Sequence, residues 1–188
     1  MRMRSETRYY ESIAASLESL LRSELRNNDI EMEWRIGEFS KGLREISKKW
    51  GSKEVRILAE KCSELNLDIF FVARKKPNNN ICLLILEVKA VGAVGLSDFS
   101  QLVGYMMVSG AQLGLLVNVD GRMSSRLGDV LGDYLELTNI VRLVGDKRIE
   151  HKIGVFYFDT ATRRFRYSSR GPILNVPKLA EMIKEIIG

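Results

Sequence analysis

Asp68 and the triplet Glu87-Val88-Lys89 are the residues whose types and setting invite chemistry in this chain. Asp68 is one acid among large apolar side chains, in Leu67-Asp68-Ile69-Phe70-Phe71-Val72. Glu87 and Lys89 close the run Ile81-Cys82-Leu83-Leu84-Ile85-Leu86, which lacks the alternation of a half-exposed strand and reads as a strand buried on both faces. Side chains on a strand alternate with period two, so Glu87 and Lys89 share one face. Charges at the rim of a core are costly unless something pairs with them, and a bound metal with a phosphate would do so. Two carboxylates and the main-chain carbonyl of Val88 are hard oxygen donors that suit Mg²⁺ or Mn²⁺. Lys89 could orient or deprotonate an attacking water, or neutralise charge growing on a phosphate, while the metal polarises the phosphoryl oxygen. The plainer alternatives are an edge-strand Asp68 facing water and a Lys89 held in a salt bridge to Glu87 or Asp68.

Positioning these groups requires a hairpin. Residues 65–73 read as a strand, and residues 74–80 form a polar turn with Pro77 and three asparagines that joins it to the strand from Ile81. A helix is expected over residues 8–26, with Tyr10, Ile13, Leu17, Leu20, Leu21 and Glu24 on one side, ended by Asn27-Asn28-Asp29. Residues 30–36 suggest a short strand, 39–50 a helix stopped by Gly51, and 53–61 a strand with Val55, Ile57 and Ala59 on one face. Beyond Gly92 and Gly95, Ser97 is the expected cap of a helix that carries Asp98 in its first turn and stops at Gly110. A strand over 113–119, a helix over 124–137, a hairpin over 153–167 turning near Asp159-Thr160-Ala161-Thr162, and a terminal helix opened by Asn175 and Pro177 complete the chain. This order predicts one α/β domain over 1–188, a mixed sheet flanked by helices, with a hairpin-plus-helix extension from about residue 120.

Asp68 followed by Glu87-Val88-Lys89 on the next strand resembles the PD-(D/E)XK nuclease superfamily. The likeness continues in Asp98-Phe99-Ser100-Gln101-Leu102-Val103-Gly104-Tyr105, which holds the Gln-x-x-x-Tyr helix signature of RecB-like members, and in the stretch Ala111 to Asn118, which resembles their next core strand. The stretch from Glu87 to Asn118 is also similar to the small proteins known by a GxxExxY signature. Leu67 stands where the family usually has proline, and no four-cysteine cluster is present. The resemblance implies a restriction-endonuclease-like fold and Mg²⁺- or Mn²⁺-dependent hydrolysis of phosphodiesters in DNA. Asp68, Glu87 and the Val88 carbonyl would hold the metal, Lys89 would serve the water, and Gln101 and Tyr105 would align the site. The family's first-helix glutamate falls on Glu24 by periodicity, with Glu18 and Glu11 as alternatives. A homodimer would pair two sites to cut two strands. The competing readings are a non-cutting nucleic-acid-binding or assembly module on the same fold, and a small-molecule phosphohydrolase.

Arg163-Arg164-Phe165-Arg166-Tyr167-Ser168-Ser169-Arg170 has four arginines, two aromatics and no acid. The arginines could grip phosphates while the aromatics stack on unpaired bases, or the aromatics could pack inward and leave the arginines in water. A net charge of +5 is compatible with a nucleic-acid partner. His151 is the single histidine, which argues against triads and His-rich metal sites. Cys62 and Cys82 lack CxxC spacing, which suggests a reducing compartment, the cytoplasm. The N-terminus has no apolar signal core, so export is not expected. No apolar stretch reaches the roughly 18–20 residues needed to cross a membrane.

Overall fold

The computed structural model describes residues 6–25, 29–61, 65–76 and 80–188. In chain order the elements are a 3-10 turn (Thr7–Tyr9), α1 (Tyr10–Leu25), β1 (Ile30–Glu38), α2 (Phe39–Trp50), α3 (Lys53–Lys61), β2 (Asn66–Lys75), β3 (Ile81–Lys89) and β4 (Ala93–Val94). They continue with α4 (Leu96–Ser109), β5 (Leu113–Val119), β6 (Arg122–Met123), α5 (Ser125–Asp133), a 3-10 turn (Leu135–Thr138), β7 (Asn139–Val144), β8 (Lys147–Asp159), β9 (Arg164–Tyr167) and α6 (Val176–Ile187). Both glycines read as helix stops hold the left-handed conformation, Gly51 at φ 61° and Gly110 at φ 73°, where a Cβ would be strained.

The architecture is mixed α/β. A central sheet runs β1-β2-β3-β5-β8-β7, with β9 also pairing with β8, and helices cover both faces. Most pairings are antiparallel; β3-β5 and β5-β8 are parallel. Period-two alternation divides the strands between two cores. Ile69, Phe71, Leu84, Leu86 and Val88 pack under α1 and α6, whereas Phe70, Val72, Leu83 and Ile85 pack under α2, α3 and α4. Phe39 at the start of α2 meets Phe70 edge-on, with ring centroids 4.8 Å apart. All seven residues of β5 are buried, as befits a parallel strand covered on both sides. Because β3, β5 and β8 run parallel, Lys89, Val119 and Asp159 end at one edge of the sheet, where antiparallel β2 begins with Asn66. The small β4-β6 sheet straps together the loops that leave β3 and β5 at this edge.

Several local expectations are corrected. Residues 53–61 are helical, not a strand. Val55 and Ala59, four apart, are the buried pair, and Ser52 Oγ accepts from the Val55 N–H at 3.3 Å as a cap does. The N-cap of α4 is Gly95, not Ser97, and Asp98 reaches back to accept from the Gly95 N–H at 2.8 Å. The helix expected over 124–137 ends at Asp133, and a 3-10 turn follows. Strand β7 and the first half of β8 form a hairpin that the reading from residue 153 omitted. Asn27, Asn28, Cys62 and Pro77 lie outside the described residues. Among the described residues, no helix is long and apolar enough to cross a membrane.

Candidate active site

The β2-β3 ladder pairs Ile69 with Leu86, and Asp68 and Glu87 stand one residue further along their strands. The Val88 N–H donates to Asp68 Oδ2 at 2.8 Å, which fixes the Asp68 carboxylate beside β3. In an antiparallel ladder the N–H and C=O of one residue point to the same neighbour, so the Val88 carbonyl also faces the β2 side. Asp68 Oδ1 accepts from Tyr10 Oη at 2.5 Å, bringing the first turn of α1 into the site. Lys89 Nζ donates to Glu87 Oε1 at 2.5 Å and to Gln101 Oε1 at 3.3 Å. Gln101 Nε2 in turn donates to Tyr105 Oη at 3.0 Å, one helical turn along α4. Strand, hairpin partner and two helices thus contribute two neighbouring sets of polar contacts, Tyr10–Asp68–Val88 and Glu87–Lys89–Gln101–Tyr105.

These groups line a cleft of about 850 Å³ at the edge where β3 ends and β2 begins. Asp68, Glu87, Lys89, Gln101 and Tyr105 form one side, while Glu6, Arg8, Tyr10 and Glu11 come from the start of the chain. No protein-family model matches the sequence, and no curated protein does.

Glu87 is only 2% exposed. Burial, reinforced by the Asp68 charge, pushes its carboxyl up to about 7, against the opposing pull of the Lys89 hydrogen bond. Burial alone would lower the Lys89 ammonium, but the hydrogen bond and charge of Glu87 hold it above its ordinary value. Burial and then the Asp68 hydrogen bond drive the Tyr10 phenol upward, so Tyr10 acts as a donor. The raised Glu87 carboxyl beside the Asp68 charge is a setting that a divalent cation would relieve, because its charge favours the ionised carboxylate. The residues therefore fit a hard cation held by Asp68, Glu87 and the Val88 carbonyl. Among the described residues, no group of three or more His, Cys, Asp and Glu side chains is disposed to hold a metal.

The first-helix glutamate is a correction. Glu24 is exposed, fourteen residues beyond Tyr10, which is about 21 Å along a helix rising 1.5 Å per residue. The buried stripe of α1 runs through Tyr10, Ile13, Ala14, Leu17, Leu21 and Leu25, which leaves both Leu20 and Glu24, expected on the inner side, in solvent. Glu18 is engaged elsewhere, pairing with Arg22 at 2.7 Å and accepting from Trp34 Nε1 at 2.8 Å. Glu11 alone of the three lines the cleft, together with Glu6, which the sequence reading passed over. Tyr10 was also missed as a site residue. Its signal was a phenol on the apolar face at the start of a helix, since a buried Tyr hydroxyl needs a partner.

The four arginines are exposed, and two of them, Arg163 and Arg164, line a common groove beside α1. Arg166 lies over the Tyr157 ring at 5.9 Å, and the Arg170 guanidinium packs against Gly132 of α5. His151 is fully buried, its Nδ1 2.7 Å from the Ala111 carbonyl oxygen, and takes no part in the cleft.

Proposed function

We propose that this protein is a Mg²⁺- or Mn²⁺-dependent nuclease of PD-(D/E)XK type that hydrolyses phosphodiester bonds in DNA. The observation that carries the reading is the convergence in one cleft of Asp68, Glu87 and Lys89, with Lys89 joined to Gln101 of α4. Asp68 and Glu87 would hold the metal with the Val88 carbonyl. When bound, that cation supplies Lewis-acid polarisation of the phosphoryl oxygen and a water of lowered pKa. Tyr10 keeps the Asp68 carboxylate oriented through its hydrogen bond. Lys89, 16% exposed at its side chain, presents a fixed ammonium to the attacking water and to charge growing on the phosphate. Gln101 positions that ammonium and is itself aligned by Tyr105.

A second reading has its own support. The Asp68 and Glu87 carboxylates already have partners within the protein, and no third acid joins them in a metal-holding group among the described residues. That arrangement favours a nucleic-acid-binding or assembly module that does not cut. The two readings separate in one experiment. Wild type, Asp68→Asn and Lys89→Ala are incubated with linear duplex, single-stranded and branched DNA in Mg²⁺, Mn²⁺ or EDTA. Metal-dependent cleavage lost in both variants, with DNA binding retained, is the expected result. Binding without cleavage in every metal would establish the module instead.

A further inference from the structure

A second groove, of about 560 Å³, runs between α1 and β9. Arg163 and Arg164 stand on one wall, and Ser16 and Ser19 of α1 stand on the other. Leu20, 40% exposed, and Tyr167, 38% exposed, present apolar surface inside it. Among the described residues lining the groove, none is acidic. Asp159, the nearest acid in the hairpin, is turned into its own loop, accepting from the N–H and Oγ1 of Thr162 at 2.8 and 2.9 Å.

Arg163 itself sits in the left-handed conformation, at φ 53°. Glycine or asparagine holds such a turn position more cheaply than a long side chain does. Arg163 is the last residue of the loop between Asp159 and Arg164, where a short hairpin commonly takes this conformation, and there its side chain stands exposed at the mouth of the groove.

The groove and the cleft share α1. Tyr10 reaches into the cleft, and Ser16 to Ser19 lie about 9 to 14 Å further along the helix axis. Stacked nucleotides advance about 3.4 Å each along one strand, so this axial offset along α1 is on the scale of a few nucleotides. A duplex keeps its bases paired inside, whereas Tyr167 and Leu20 offer surfaces for unpaired bases beside cations for their phosphates. Resting on the nuclease reading above, we propose that this groove holds a single-stranded continuation of the strand whose phosphodiester lies in the cleft. The substrate class is therefore DNA with a single-stranded segment, not blunt duplex.

The test is fluorescence anisotropy in EDTA, with a short labelled oligothymidylate and a blunt duplex of equal length across a salt series. Wild type should bind the single strand about tenfold or more tightly than the duplex. Arg163→Gly should weaken single-strand binding and reduce the log–log salt slope by about 0.7, the value for one lost phosphate contact. Because glycine relieves the positive φ, its Tm should be unchanged or raised, which separates loss of contact from loss of fold. Ser19→Glu should weaken binding from the opposite wall, and Arg148→Ala, at an exposed arginine elsewhere, should change nothing. Wild-type affinity in both Arg163→Gly and Ser19→Glu, or a preference for blunt duplex, would overturn the proposal. Cleavage absent in every metal while this binding pattern holds would sink the nuclease reading and leave the groove. Cleavage with the pattern missing would do the reverse.

Discussion

In the absence of metal, Glu87 should make the protein less stable as the pH rises. Its carboxyl is pushed from an ordinary 4.5 up to about 7 in the folded state. Below about pH 4.5 both folded and unfolded chains hold the proton, and the folded state benefits in full. Between 4.5 and 7 the unfolded chain releases its proton while the folded one keeps it, so stability falls with pH, and the benefit is gone once the folded group ionises. At about 1.4 kcal/mol per pH unit, that interval amounts to about 3 kcal/mol. For a domain of this size the difference corresponds to about 6 to 12 °C in Tm. Glu87→Gln keeps the shape of the side chain and removes the titration. Urea midpoints in EDTA, measured from about pH 5 to about pH 8.5 for both proteins, supply the comparison. The wild-type curve should fall relative to the variant by a few kcal/mol, and saturating Mg²⁺ should restore it at the alkaline end. Parallel curves would refute the claim that Glu87 resists ionisation in the folded site.

Two substitutions probe how the site and its scaffold are held. Tyr10→Phe removes a donor to Asp68 from a residue only 4% exposed. It should cost about 1.5–3 kcal/mol in denaturant unfolding and slow metal-dependent cleavage; an unchanged rate would remove Tyr10 as a positioning residue. Gly42→Ala would raise helix propensity in α2 by about 1 kcal/mol at an open site. Here the new Cβ meets Phe70 Cζ at 2.5 Å and Arg35 Cβ at 3.0 Å, so overpacking of about 1–3 kcal/mol should win and lower the Tm. A raised Tm would show that Phe70 moves aside freely.

The hairpin and its charges were legible in sequence because strand alternation is a short-range rule. Knowing that β2 and β3 are joined by a short turn is enough to bring Asp68 toward Glu87, and the i, i+4 rule links Gln101 to Tyr105. Tyr10 was not legible as a partner of Asp68, since 58 residues separate them and nothing local specifies how α1 crosses the sheet. Glu24 failed on both counts, because the buried stripe runs through Ile13, Leu17, Leu21 and Leu25 and leaves Glu24 in solvent, and helical spacing leaves the distance to the site open. Residues 53–61 misled because Val55, Ile57 and Ala59 alternate as well as a strand would, and the run is short enough to satisfy either period. Ser52, the cap that decides the case, lay just outside the run. Strand β7 was missed although Ile140, Val141 and Val144 are β-branched, because its charge-rich turn hid the pairing with β8.

The shared metal at Asp68 and Glu87 is tested most directly by counting bound Mn²⁺ by electron paramagnetic resonance. Wild type, Asp68→Asn and Glu87→Gln are titrated at equal concentration, with circular dichroism to confirm that each is folded. Saturable binding to wild type, lost or weakened by tenfold or more in each folded variant, is the predicted result. Wild type that takes up no Mn²⁺, or variants that bind it as well as wild type, would contradict a cation held by these two carboxylates.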